Sequence, residues 1–177
     1  MIKNQCIGQH STSPGGSSVW SRLAMRCLLW LSLLPFAGIA TAHDSGLVSL
    51  RSAHDVATTV ARLQQHLQAK GMRLFAEIDH AAGADSVDLS LRPTHVVMFG
   101  NPAVGTPLMQ CSQSVAIDLP QKMLVWEDAQ GDVWLAYNDP EFLRWRHGIE
   151  GCDEVLEKVT AALSAFARAA VSSAPLP

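Results

Sequence analysis

Hydrophobic positions along this chain repeat with two different periods, and the places where the period changes outline its elements. Leu47, Val48 and Leu50 read as a first strand. Ser52 stands three residues before Asp55, a variant of the capping box, and predicts a helix start there. Val56, Val60, Leu63 and Leu67 then form one apolar stripe, with Arg62, Gln64, Gln65 and Gln68 mostly on the other side, until Lys70-Gly71 ends the helix. From Met72 to Asp79 the period drops to two, which places Met72, Leu74, Ala76 and Ile78 on one buried face of a strand.

Ala81 to Asp88 fits a short helix or turn, and Thr94 to Phe99 a further strand. Gln121 to Glu127 and Asp132 to Asn138 predict a hairpin around Asp128-Ala-Gln-Gly131, with Trp126 and Trp134 at opposite ends of the pair as core or interface area. Asp139-Pro140 starts a short helix carrying Phe142, Leu143 and Trp145. Asp153 caps a last helix with a Val155, Leu156, Val159, Leu163 and Phe166 stripe. This order lacks the regular βα alternation of a doubly wound sheet. It predicts an α+β two-layer sandwich, with a mixed or antiparallel sheet of about five strands, two main helices and short connecting helices.

The first 42 residues stand apart from that domain. Arg22 and Arg26 precede the apolar run Cys27 to Ile39, and Ala40-Thr41-Ala42 follows, the layout of a secretory signal peptide cut after Ala42. An uncleaved anchor is the alternative, and the length of the polar stretch before the run leaves Met25 as a second possible start. Residues 43–177 are then one exported domain, periplasmic or secreted, with no stable membrane span after cleavage. Cleavage leaves 10 Lys and Arg against 16 Asp and Glu, a net charge of −6, which disfavours a nucleic-acid partner. It also leaves Cys111 and Cys152, which either pair or remain two buried thiols. Pairing would add roughly 4 kcal/mol on the chain-entropy model.

The stretch Phe99-Gly-Asn-Pro-Ala-Val-Gly-Thr-Pro-Leu-Met-Gln110 is the focus of the chain. Gly100, Pro102 and Gly105 shape a loop, and Thr106-Pro107 reads as the start of a short helix. Amides gathered there suit a small molecule or anion, unless the turn caps itself.

Asp79-His80-Ala81-Ala82, Leu91-Arg92-Pro93-Thr94, Phe99-Gly100-Asn101-Pro102, Gly105-Thr106-Pro107-Leu108-Met109-Gln110, Asp118-Leu119-Pro120 and Tyr137-Asn138-Asp139-Pro140 together resemble the bacterial family catalogued as domain of unknown function 302. The resemblance runs from about Val48 to the final helix. It implies a small α+β domain of the kind found as homodimers, and no established reaction. It also implies that a Cys111–Cys152 bridge would be an elaboration of this chain, because the family pattern places a small non-cysteine residue at the first position and variable sequence around the second.

Asp79, His80, Arg92, Asp118 and Tyr137 combine carboxylates, an imidazole, a guanidinium and a phenol. With Asn101, Gly105 and Thr106 they form a candidate polar ligand pocket. The first expectation is a non-catalytic binding or sensing module. The alternatives are a hydrolase- or lyase-like enzyme with His80 as base beside Asp79 or Asp118, and a structural homodimer. Local capping by Asp79 and Asp118 competes with all three. A metal site from His80 with Asp79, Glu77 or His95 lacks ligand spacing; Met109 and Cys111 offer soft sulfur ligands to copper, against the simpler reading of a core methionine and an oxidised or buried cysteine, and the residues name no cofactor.

Overall fold

The two periods resolve into a sheet with helices on one side in the computed structural model, which describes residues 45–174. The leader and the cut after Ala42 lie outside the described residues. The elements are β1 (Leu47–Arg51), α1 (Val56–Ala69), β2 (Arg73–Asp79), α2 (His80–Asp85), β3 (Thr94–Gly100), α3 (Pro102–Cys111), a 3-10 turn (Gln113–Ile117), β4 (Gln121–Glu127), β5 (Val133–Asn138), α4 (Pro140–His147) and α5 (Asp153–Val171). The strand order is β1-β5-β4-β3-β2, and every neighbouring pair is antiparallel, so the expected α+β sandwich has an antiparallel sheet throughout. The described residues contain no helix long and apolar enough to cross a membrane.

Side chains alternate across the strands, and the register sorts them. Val97, Phe99, Met123, Val125, Leu135 and Tyr137 share the face that α1 and α5 cover, and all six are buried. From α1 come Val56, Val60, Leu63 and Leu67, and from α5 come Leu156, Val159, Leu163 and Phe166, all buried as their helical spacing predicts. Each fully buried aliphatic side chain contributes about 1.5–3 kcal/mol, so this one interface dominates the stability of the domain. His66 is buried in it as well, edge-on to Phe166 at 5.8 Å, and burial holds its imidazole below the ordinary histidine range. The opposite sheet face carries Val96, Met98, Leu124, Trp126 and Trp134.

Four local expectations change. The cap of α1 is Asp55, whose carboxylate accepts the Thr58 N–H at 2.7 Å, while the Ser52 hydroxyl accepts the His54 N–H and bonds Thr59 Oγ1. In β2 a bulge between Leu74 and Ala76 inserts Phe75 and reverses the alternation, since one extra residue shifts every later side chain to the other face. Leu74 therefore pairs opposite Phe99, on the helix-covered face with Glu77 and Asp79, and Ile78 turns outward and is exposed. Trp126 and Trp134 are direct cross-strand partners with stacked rings 6.5 Å apart, not residues at opposite ends. Cys152 occupies the cap position of α5, and Asp153 is the first residue of the helix, where its charge still meets the positive end of the dipole.

Candidate functional site

The focal stretch is more helical than its glycines and prolines suggest. Asn101, not Thr106, caps α3: its side chain accepts the Ala103 N–H at 2.9 Å, and its carbonyl accepts from Val104 and Gly105. Pro102 takes the first helical position, and Pro107 lies inside the helix. The amides expected to receive an anion are thus already satisfied within the turn, and the self-capping alternative holds.

Beside this helix lies a cavity of about 350 Å³, partly open to solvent. Its walls come from Met72 and Phe75 next to the β2 bulge, Phe99 and Gly100, the inner side of α3 through Val104, Leu108 and Met109, Ala116, Leu119 and Pro120, and Val159, Ala162, Leu163 and Phe166 of α5. Asn101, Thr106, Gln121 and Lys158 are its polar lining residues, so the surface it offers is overwhelmingly hydrocarbon. Gly100 keeps the wall thin: a Cβ there would stand 3.3 Å from the Phe75 ring.

This cavity corrects the polar pocket expected from the sequence. Asn101, Gly105 and Thr106 line it, whereas Asp79, His80, Arg92, Asp118 and Tyr137 do not. Asp79 caps α2 by accepting the Ala82 N–H at 2.9 Å, which holds its carboxyl below the usual carboxylate range, and its other oxygen lies 3.6 Å from His95 Nε2. His80 is the exposed first residue of α2. The imidazole that meets the acids at this corner is instead that of His95, whose Nδ1 is 3.1 Å from Glu77, while Gln64 donates to the other Glu77 oxygen at 2.6 Å. Arg92 Nε donates to the Glu127 carbonyl at 3.1 Å. Tyr137 is buried in the core, where burial pushes its phenol above the ordinary range.

Asp118 leads to residues that sequence reasoning passed over. Its Oδ2 lies 2.6 Å from His147 Nε2, and His147 Nδ1 lies 2.9 Å from Ser114 Oγ. Ser112 Oγ donates to the His147 carbonyl at 2.8 Å, and Arg146 reaches Asp118 Oδ1 at 3.5 Å. The segment is braced by Cys111 and Cys152, which form a disulfide with Cα atoms 6.5 Å apart. Nothing local announces His147 as the partner of an aspartate 29 residues earlier; its one sequence signal is a basic residue in the last turn of α4 before Gly148, which the helix dipole alone explains. Among the described residues no group of three or more His, Cys, Asp or Glu is placed to hold a metal ion.

Comparison with known proteins agrees with this architecture. Three curated relatives from Brucella match over 111 residues at 45% identity: the "Fluoride-specific ion channel FluC 1" of Brucella suis and of Brucella abortus, and the "Fluoride-specific ion channel FluC 2" of Brucella melitensis. The match takes in 63% of this chain and 41–44% of theirs, so the chain spans less than half the length of those relatives. A crystal structure of an uncharacterised conserved DUF302 protein from Bacillus stearothermophilus superposes with a TM-score of 0.65 at 16% identity, covering 71% of this chain and 98% of that one. Residues 48–166 match the family described as "Domain of unknown function DUF302", and the chain belongs to that family.

Proposed function

We propose that this protein is an exported binding module whose ligand is a small, mainly apolar or amphipathic molecule held beside α3. The observation that carries the reading is the 350 Å³ hydrocarbon-lined cavity, a volume within the range of small-molecule sites, with a few polar side chains to orient a ligand. The Ala40-Thr41-Ala42 leader pattern and the Cys111–Cys152 pair support export, since disulfides persist in oxidising compartments. The test is titration with the fluorescent apolar probe N-phenyl-1-naphthylamine, against a variant in which Ala162→Trp fills the space. Micromolar binding by the parent chain, weakened at least about tenfold (1.4 kcal/mol) in a variant of unchanged melting temperature, supports the reading. A parent chain that leaves the probe dark removes it.

The homodimer implied by the family resemblance belongs to the same reading. The apolar sheet face of Val96, Met98, Leu124, Trp126 and Trp134 is the surface we assign to a second copy. Leu124→Glu should halve the mass measured by light scattering, and a monomeric parent chain would dismiss the pairing.

A second reading rests on the Brucella comparisons. A domain 45% identical to part of proteins named as fluoride-specific ion channels suggests service beside such a channel. Fluoride efflux from vesicles holding the Brucella suis channel, with and without its matching segment, tests this. Identical efflux would leave the cavity reading alone.

A further inference from the structure

We propose that Ser114, His147 and Asp118 form an acyl-transfer site, separate from the cavity, in which Ser114 is the nucleophile toward carboxylic esters bearing an apolar group. The segment 114–119 serves two directions: Ala116 and Leu119 line the cavity, while Ser114 and Asp118 bond His147. The hydrogen positions of the network follow from its acceptors. Asp118 is a carboxylate and can only accept, so Nε2 of His147 carries the proton across the 2.6 Å contact. In the neutral imidazole Nδ1 then holds the lone pair, and at 2.9 Å it accepts the Ser114 hydroxyl. The backbone carbonyl of His147 likewise only accepts, which assigns the Ser112 hydroxyl proton to it and leaves that of Ser114 for the ring.

This is the arrangement a serine nucleophile needs, a hydroxyl on the basic nitrogen and a carboxylate fixing the tautomer through the other. Burial adds to it, because the His147 and Asp118 side chains are only 5% and 11% exposed while Ser114 itself is exposed. The elements that carry the trio also present Ile117 and Trp145 to solvent, at 74% and 78% exposure, an apolar surface for one arm of an ester.

In the proposed step Ser114 Oγ bonds to the ester carbonyl carbon as its proton passes to His147 Nδ1, and the carbonyl π pair moves onto oxygen. Collapse of that oxyanion breaks the bond to the alkoxy group, which takes the proton from Nδ1 and leaves as an alcohol. Water then adds to the acyl-Ser114 carbonyl with Nδ1 again taking a proton, and returns acid and free hydroxyl. Asp118 is a positioning residue: it touches the imidazole and not the ester.

The test uses the purified full chain, with a fluorophosphonate probe and p-nitrophenyl butyrate. The expected result is one adduct per chain, mapped by peptide mass spectrometry to Ser114, absent in Ser114→Ala, with butyrate turnover lost in parallel. Asp118→Asn offers an amide N–H to Nε2 and so reverses the tautomer. It should lower the labelling rate at least 100-fold in protein that melts as the parent does, a change that a merely structural contact would not produce. Folded parent protein that gains no adduct at Ser114, or folded Asp118→Asn that labels at the parent rate, would overturn the proposal. Probe binding in the cavity is read independently and is unaffected by either outcome.

Discussion

Among the described residues two aspartates form ion pairs with histidines, and they do so on very different terms. The Asp118–His147 pair, at 2.6 Å and almost closed to solvent, lies between the 3-10 turn and α4 and continues to a serine hydroxyl. At the β2 edge the Asp79–His95 pair stands 3.6 Å apart with Asp79 42% exposed, and its carboxylate is already occupied by the Ala82 amide. The chemistry of the partners is the same. What separates them is that the first pair is enclosed by a covalently closed segment, whereas the second decorates a bulged edge strand where water screens it.

That contrast is open to attack, most strongly through the cross-link. Cys111→Ser with Cys152→Ser removes a bridge across 41 residues of sequence separation, and roughly 4 kcal/mol of stability should go with it by urea titration. The loss should be accompanied by faster amide exchange around Ser114 and His147, and not around α2. Asp118→Ala comes next: an imidazole left buried without its carboxylate should cost about 2–3 kcal/mol. A loss below about 0.5 kcal/mol would mean that the two pairs are energetically alike, as exposed pairs are.

The periodic parts of the fold were legible because burial repeats with the backbone: the α1 and α5 stripes and the hairpin read directly from spacing. The parity of β2 was not, since Phe75 looks like any other strand residue until Gly100 and Phe99 fix the register across from it. The focal stretch differs in character from the loop its residues suggest. Asn101 turns the glycine- and proline-marked loop into a helix whose amides are used up, and the walls that make the recess hydrocarbon, Phe166, Leu163 and Met72, arrive from distant elements. His80 adjoins Asp79 in the sequence, yet the residue across the ladder from Asp79 is His95. Ser114–His147–Asp118 had no sequence signature, because His147 lies 33 residues from Ser114 and 29 from Asp118, and only the folding of α4 against the 3-10 turn brings it to them.

The smallest effect is expected at Asp79, and its sign follows from the pKa. The Ala82 amide holds the folded-state carboxyl below its ordinary value of 3.8, so the folded state binds fewer protons than the unfolded one as pH falls past that value. The contribution is therefore complete above pH 3.8 and fades as pH drops through the lower, folded-state value. Asp79→Asn keeps a capping side chain but not the charge. Its urea midpoint should fall slightly below the parent's at pH 7, and the two should converge in strong acid. A gap that persists unchanged at pH 2.5 would locate the role of Asp79 in the shape of the cap and not in its charge, and the β2 corner would then differ from the Asp118 site in kind as well as in degree.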